Sequence, residues 1–382
     1  MEGSRVVIVH PEQLEPYLPA WEELAADAVE TNVFYEPWML LPALRLWGGD
    51  EIVLVLIFSI EGVNGTSSER LAGIFPLQYQ TYYREVPIRT LKLWQYDYCF
   101  LSTPLVRNQG AARTIAAFLE WLGTNPFNAA LMEFHDIEGA GAFHNLLIRE
   151  LRRRGQRACV MDSYTRPVLM RRRNGEVYLC ESLAKKRRKE LNRLRRRLAD
   201  CGRVECIELE PSHDVTPWIE DFLALEAASW KGRAGSAMKL DAASREFFTT
   251  ALLEAFRRGR LMMLGLYVDR RPVAMKCNFL APPGSFAFKI AYDESLGRFS
   301  PGVQLEIENI RHFHAKPWIQ WMDSCTAVED HFMMNHLWRD RREIQTLTVT
   351  SGHWSGDLVL SVLPIRQWIR RRVKGRFLGT QT

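Results

Sequence analysis

The feature that most constrains the fold is a succession of three strands and a helix between Arg260 and Phe313. The runs RLMMLGLYV and PVAMKCNFLA are joined by the tight turn DRR, and PPG then turns the chain into SFAFKIAYDE. Apolar runs separated by short turn signals are typical of neighbouring antiparallel strands. The helix SPGVQLEIENIRHF and the strand WIQWMDS come next. This order predicts a mixed sheet flanked by helices.

Two domains are expected, because a chain of 382 residues is too long for one ordinary hydrophobic core. The first half also alternates helices and strands, among them a pair of strands at 52–60 and 70–83 around the turn-rich EGVNGTSSE. The fold class is α/β, an α+β mixed sheet, in tandem domains that each carry a mixed, mostly antiparallel sheet flanked by helices. The expected division is an N-terminal domain at 1–165, a basic helical connector at 166–203, a C-terminal domain at 204–350 and an extension at 351–382.

Composition excludes several classes of protein. With 47% hydrophobic and 25% charged residues, the chain has the balance of a soluble globular protein. Its first residues lack the apolar core of a signal peptide, and no stretch approaches the ~20 apolar residues that span a bilayer, so a cytoplasmic location is expected. The seven scattered cysteines indicate reduced thiols. No metal-ligand spacing accompanies them, and we expect no metal.

Positive charge is concentrated in the run KKRRKELNRLRRRL from Lys185, although the net charge of the whole chain is only +5. The segment 185–197 could bind an anionic partner such as tRNA or a membrane surface, or it could be a solvated helix face. The same alternatives hold for the basic segment RQWIRRRVKGRF near the C-terminus, which could contact anionic lipid.

The start of the helix at Ser300 is predicted to bind an anion. Ser300 is a good N-cap, Pro301 suits the first helical position, and Gly302 allows a ligand to approach the backbone. The unpaired N–H groups of a helix start bind phosphate or pyrophosphate. Residues at helical spacing predict a buried stripe, and the polar residues between them are expected to face elsewhere: Val303, Ile307, Ile310 and Phe313 in the stripe, and Gln304, Glu306, Glu308 and Arg311 outside it.

Three segments, LEAASWKGRAGSA from Leu225, FKIAYDESLGRFSPG from Phe288 and MDSC from Met322, resemble the CelD/BcsL family of GNAT-type acetyltransferases. The tandem layout and the basic helix resemble, more distantly, the FemABX aminoacyltransferases, whose donor is aminoacyl-tRNA. The resemblance implies tandem GNAT-like domains with acyl-CoA, either acetyl-CoA or a longer acyl-CoA, bound in the second. GRFSPG carries only part of the usual GNAT pyrophosphate signature. The cofactor-binding residues implied are Ala291, Tyr292, Arg298, Ser300, Pro301, Gly302 and Val303.

The resemblance also implies roles for carboxylates and lysines in the second domain. Asp323, at the end of a strand, is a candidate proton acceptor or else a turn residue. Glu226 is a candidate to bind or deprotonate an acceptor amine, or a solvated helix carboxylate. Lys289 lies in an apolar strand and should meet an anion, with Asp293 and Asp323 as candidate partners, unless it lies on the wet face of the sheet.

The remaining candidates are Tyr292 as proton donor to the leaving thiolate and His331 as a base of near-neutral pKa. Trp230, Lys231, Asp293 and Asp330 are candidates to bind the acceptor. Each has a structural alternative in packing or hydrogen bonding.

Three functions follow as hypotheses. The first is transfer of an acyl group from acyl-CoA to an amine or hydroxyl of a small-molecule or saccharide acceptor. The second is a Fem-like transfer from aminoacyl-tRNA, which the basic helix would support. The third is a non-catalytic GNAT-derived module in polysaccharide biosynthesis.

Overall fold

The structure is a computed structural model that describes residues 3–63, 66–326 and 332–362. Two candidate site residues, Asp330 and His331, lie outside the described residues. So do the basic segment near the C-terminus and most of the predicted extension at 351–382.

The chain forms two compact units. The first comprises the chain up to Tyr35, residues 48–164 and the described residues from Glu343 onward. The second comprises residues 36–47 and 165–342. The division expected from the sequence is linear, whereas these units interleave. A short early segment belongs to the second unit, and the chain returns to the first unit after residue 342.

The first unit has a mixed sheet in which neighbouring strands follow the order β1, β2, β3, β4, β6 and β13, with β5 beside β3. Among the described strands of this sheet, only β4 and β6 pair in parallel. The predicted antiparallel pair in this half is confirmed as β2 and β3. The strands of the first unit are β1 (Gly3–Val9), β2 (Ile52–Val63), β3 (Thr66–Gln80), β4 (Thr90–Leu93), β5 (Leu105–Val106), β6 (Leu131–Glu138) and β13 (Asp340–Thr350). Its helices are α1 (Leu18–Ala26), α3 (Ala111–Gly123) and α4 (Ala142–Arg154).

The second unit has a mixed sheet in the order β7, β12, β11, β10, β9 and β8. Within the described part of this sheet, only β11 and β12 pair in parallel. Its strands are β7 (Ala158–Met170), which begins in the first unit, β8 (Val204–Glu208), β9 (Leu261–Val268), β10 (Arg271–Ala281), β11 (Gly284–Tyr292) and β12 (Trp321–Asp323). Its helices are α2 (Pro37–Trp47), α5 (Gly175–Ser182), α6 (Lys185–Ala199), α7 (Val215–Ala227), α8 (Trp230–Arg233), α9 (Ala242–Arg257), α10 (Pro301–Ala315) and α11 (Phe332–Leu337).

The predicted run of three antiparallel strands is confirmed as β9, β10 and β11. The turn between β9 and β10 consists of Asp269 and Arg270, whose φ angles are 48° and 68°. Two successive residues with positive φ match the twist of a two-residue hairpin. Gly259, with φ of 65°, follows the end of α9 as expected of a helix stop.

Helix α10 packs on the sheet through the predicted stripe, of which Ile310 and Phe313 are fully buried. The expectation that the polar residues face elsewhere is wrong for Gln304 and Glu306, which are buried as well. The side chain of Glu306 is held in the core by an ion pair described below. Among the described residues, no helix is both long and apolar enough to cross a membrane.

Candidate functional site

Strand β11 loses its parallel neighbour after the first third of its length. It pairs with β12 from Gly284 opposite Trp321 to Phe286 opposite Asp323, where β12 ends. β11 continues to Tyr292, and among the described residues no other strand pairs with this side of it. In the part of the chain that the structure describes, this side of β11 beyond Phe286 has no neighbouring strand, and a strand edge of this kind can pair with a ligand.

A β-bulge lies in the same stretch. Cys277 of β10 is opposite Lys289, but the next residue, Asn278, is opposite Ala287. Phe288 is thus an extra residue on β11. Bulges bend a strand, change the direction of its side chains and often lie beside active sites. Here the bulge lies at the start of the part of β11 that has lost its neighbour.

The start of α10 lies against the end of β11. Pro301 occupies the first helical position as predicted, but the expectation that Ser300 caps the helix is wrong. Ser300 has the left-handed conformation, with φ of 53° and ψ of 53°, and its side chain makes no capping hydrogen bond. A Cβ atom on Gly302 would lie 3.0 Å from Cδ1 of Tyr292. The glycine therefore allows the helix start to approach the Tyr292 ring.

Glu226, Lys231 and Lys289 lie together at the C-terminal end of α7. The Glu226 carboxylate is buried, lies 2.8 Å from the Lys231 ammonium and accepts the Met238 N–H at 3.0 Å. Burial lowers the pKa of Lys289 to about 8, and the charge of Lys231 adds to this effect while Glu226 and Cys277 oppose it. A lysine of near-neutral pKa can exchange protons at physiological pH.

Trp230 is 53% exposed and directly precedes Lys231 in the sequence. Its backbone N–H donates to Glu294 at 2.8 Å, and Arg233 forms an ion pair with Glu294 at 2.5 Å. These contacts hold α8 to the loop that follows β11. Asp293, a proposed partner of Lys289, instead pairs with Arg271 at 2.6 Å. The carboxylate that acts on Lys289 is that of Glu226.

Asp323 lies in a buried ion cluster, with its carboxylate 2.7 Å from Arg166 and 2.8 Å from Arg342. It also accepts the Cys325 N–H at 2.9 Å. Burial tends to raise the pKa of Asp323, but the two arginine charges outweigh it and hold the pKa below its ordinary value. The carboxylate therefore stays ionised near neutral pH, which favours a positioning role at the end of β12 over proton transfer. The expectation that it pairs with Lys289 is wrong.

A second buried pair fixes α10 to β10. The Lys276 ammonium lies 2.8 Å from the Glu306 carboxylate, and both side chains are at most 1% exposed. Glu306 also accepts hydrogen bonds from Trp338 at 3.0 Å and Asn309 at 2.8 Å. Every carboxylate oxygen thus has a partner, which is the condition under which a buried charge is tolerated.

Sequence reasoning missed Arg166, Arg342, Lys276 and Glu306. A signal existed for Lys276 alone, because it interrupts the apolar run PVAMKCNFLA in the same way that Lys289 interrupts SFAFKIAY. The described residues contain no group of three or more histidine, cysteine or acidic side chains that could hold a metal.

Comparison with known proteins identifies the class of the second unit. Residues 185–333 match the family described as Acetyltransferase (GNAT) domain. This stretch is therefore a GNAT-type acetyltransferase domain, and it contains β11, β12, α10 and the Glu226, Lys231 and Lys289 cluster. No curated protein matches the chain in sequence.

Solved structures share the fold of nearly the whole chain. FemX has 10% sequence identity and a TM-score of 0.55, and the match covers 89% of this chain and 96% of FemX. The C-terminal domain of a putative lysylphosphatidylglycerol synthetase from Agrobacterium fabrum has 12% identity and a TM-score of 0.50, covering 91% and 96%. A conserved protein of unknown function from Bacteroides thetaiotaomicron has 10% identity and a TM-score of 0.51, covering 87% and 97%. The predicted fold class is confirmed, whereas the resemblance to the CelD/BcsL family stays a prediction.

Proposed function

We propose that the protein transfers an acyl group from acyl-CoA to an amine or hydroxyl acceptor. The observation that carries this proposal is the separation of β11 from β12. β12 ends opposite Phe286, whereas β11 continues to Tyr292, beside the start of α10 at Gly302. A strand edge and a helix start offer backbone N–H groups to the amide and phosphate groups of such a donor. The match to the GNAT domain family supports this assignment.

The donor-binding residues in this proposal are those of the loop and helix start. Gly302 leaves space at the first turn of α10, and Tyr292 packs beside it. Arg298 is exposed in the 3-10 helix that connects β11 to α10. The other candidates are Ala291, Ser300, Pro301 and Val303, of which Ala291 and Pro301 are buried.

The acceptor is handled by the cluster at the end of α7. In its neutral form, Lys289 accepts the proton that the acceptor amine or hydroxyl loses as it bonds to the acyl carbon. The bond from that carbon to sulfur breaks, and the thiolate takes a proton from solvent. Tyr292, the predicted donor of this proton, lies on the face of β11 opposite Lys289, beside Gly302 of α10. Glu226 holds Lys231 and the backbone at Met238 in place. Trp230 is exposed and directly precedes Lys231 in the sequence, and it is the candidate acceptor-binding residue.

Two glycines, Gly297 in the 3-10 helix before α10 and Gly302 in the first turn of α10, provide a matched test of the donor site. Gly302→Val places a side chain against Tyr292, whereas a Cβ on Gly297 meets no atom within 4 Å. We expect acetyl-CoA or a longer acyl-CoA to raise the melting temperature of the wild type and of Gly297→Val, but not of Gly302→Val. All three should show the same circular dichroism. Stabilisation of Gly302→Val equal to that of wild type would move the donor site elsewhere.

Catalysis is tested separately by thiol release across a panel of amines, amino sugars and saccharides. Binding of acyl-CoA without thiol release from any acceptor would favour a non-catalytic module. Absence of both binding and release would overturn the proposal.

A second candidate is transfer from aminoacyl-tRNA, for which the specific observation is α6. This helix carries nine basic residues and one acidic residue. The similarity of the fold to FemX and to the putative lysylphosphatidylglycerol synthetase domain is consistent with it. Micromolar binding of tRNA that weakens steeply with salt would support this candidate.

A further inference from the structure

Helix α6 turns its charged side outward. Its three apolar side chains, Leu191, Leu194 and Leu198, are buried in the second unit. Arg195 forms an ion pair with Glu308 of α10. Because the apolar side chains are used in the core, the exposed face has no apolar stripe to insert into a membrane, and its chemistry is that of a polycation.

The last turn of α6 reaches the loop before α10. The guanidinium of Arg197 lies over the ring of Phe299 at 5.8 Å from its centroid, and that of Arg298 lies over the same ring at 4.7 Å. The two guanidinium groups are therefore within about 11 Å of each other, the limit set by these distances. Phe299 is only 3% exposed and is anchored in the core of the second unit. One buried ring thus holds two exposed cations.

Neither cation is neutralised by a salt bridge within the described part of the chain, although neighbouring arginines are. Arg195 is paired with Glu308 and Arg233 with Glu294. Stacking on an aromatic ring restricts a guanidinium group and preserves its donors for a ligand. The segment that presents Phe299 also presents the start of α10, since Ser300 and Pro301 follow directly.

We propose that Arg197 and Arg298 form a second phosphate-binding site for the nucleotide end of the donor, outside the first turn of α10. The proposal rests on the proposed function and extends it. Arg298 belongs to the loop already expected to bind the donor, whereas Arg197 comes from a separate helix. Two guanidinium groups suit a phosphate monoester, whose two negative charges and three oxygens accept several charge-assisted hydrogen bonds. In coenzyme A this group is the 3′-phosphate on the ribose. In an RNA donor the same site would bind a backbone phosphate, which is a diester with one negative charge and two non-bridging oxygens.

The test compares coenzyme A with 3′-dephospho-coenzyme A by calorimetry. We expect the wild type to bind coenzyme A about ten-fold or more tightly, the effect of one or two charge-assisted hydrogen bonds. Arg197→Ala should lose most of that preference and keep the affinity for the dephosphorylated form. Arg298→Ala should also lose most of the preference, but it should weaken the binding of both forms, because Arg298 belongs to the proposed donor site as well. Lys189→Ala, exposed about two turns earlier on α6, is the matched control and should keep the preference. A preference that survives in both arginine variants would overturn the proposal.

An RNA arm separates failure of this site from failure of the proposed function. If neither form of coenzyme A binds, the same variants are titrated with a short RNA oligonucleotide over a range of salt concentrations. A larger loss of RNA affinity and of salt dependence in Arg197→Ala and Arg298→Ala than in Lys189→Ala would retain the site and reject acyl-CoA as donor. Equal effects in all three variants, or no binding of any probe, would reject the site. Binding to anionic lipid vesicles but not to RNA or coenzyme A would also reject it.

Discussion

Replacing Glu306 by glutamine should destabilise the second unit by about 3–5 kcal/mol, the usual cost of removing one partner from a buried ion pair. Lys276 is 1% exposed, so its ammonium would remain in the core without an anion 2.8 Å away. The glutamine could still accept the hydrogen bonds from Trp338 and Asn309, which the carboxylate accepts through one oxygen. The decrease in the free energy of unfolding therefore measures the cost of the unpaired Lys276 charge and not the loss of those hydrogen bonds.

A double-mutant cycle isolates the pair. Lys276→Met removes the charge and keeps most of the volume, so Lys276→Met/Glu306→Gln should recover about 2–3 kcal/mol relative to Glu306→Gln alone. The free energy of unfolding is measured by urea denaturation, with equal slopes as the check that the unfolded states are comparable. Glu220 provides the control, because its pair with Arg245 is half exposed and Glu220→Gln should cost about 0.5 kcal/mol or less. A cost below about 1 kcal/mol for Glu306→Gln, or a double variant no more stable than the single one, would refute the reasoning.

Three further predictions concern neighbouring groups. Asp323→Asn should cost about 3–5 kcal/mol at pH 7. Because the folded-state pKa of Asp323 is lowered, its stabilisation is present above the unfolded-state pKa and is lost as the pH falls through the folded-state value. Urea midpoints from pH 7 to 3 should therefore fall less steeply in the variant, and parallel curves would contradict this. Since the pKa of Lys289 is about 8, thiol release should rise with pH and level off above that value. Lys289→Met should lower the rate by about a hundred-fold or more and abolish the rise, so an unchanged pH profile would exclude Lys289 as the base. Arg171 donates to the carbonyl oxygens of Phe313 and His314 at the end of α10, and Arg171→Ala should lower the unfolding free energy by about 2–3 kcal/mol. Arg171→Lys should restore less than half of this in the same urea assay, and a loss under about 0.5 kcal/mol would show that these bonds are unimportant.

Much of the second unit could be predicted because its signals are local. The turn at Asp269 and Arg270, the helix stop at Gly259 and the start of α10 at Pro301 each depend on residues next to each other in the chain. The expected cap at Ser300 failed for a reason outside the helix. The preceding 3-10 helix brings the chain in with a left-handed Ser300, so the side chain does not reach the helix N–H groups.

The electrostatic partners could not be predicted, because they are far apart in the sequence. Arg166 and Asp323 are separated by 157 residues, and Lys276 and Glu306 by 30. In the helical pattern, Glu306 appeared to belong to the polar side of α10, since a single helix does not show which polar residue meets a buried cation. Of the two carboxylates expected to pair with Lys289, Asp293 pairs with Arg271 and Asp323 with Arg166 and Arg342, whereas the charge of Glu226 raises the pKa of Lys289.

The interleaving of the two units has a consequence for the order in which the chain folds during synthesis. Helix α2 is needed by the second unit, where Trp38 packs against Phe279, yet it is made long before its partners. The first unit, in turn, lacks β13, the neighbour of β6, until the chain has passed Asp340. Domains usually fold one after another as they leave the ribosome. Here neither unit can be completed until most of the chain has emerged. In the meantime, the unpaired sheet edges of a nascent chain must not associate with those of other chains. Truncation after Arg342 would impair the first unit rather than the second.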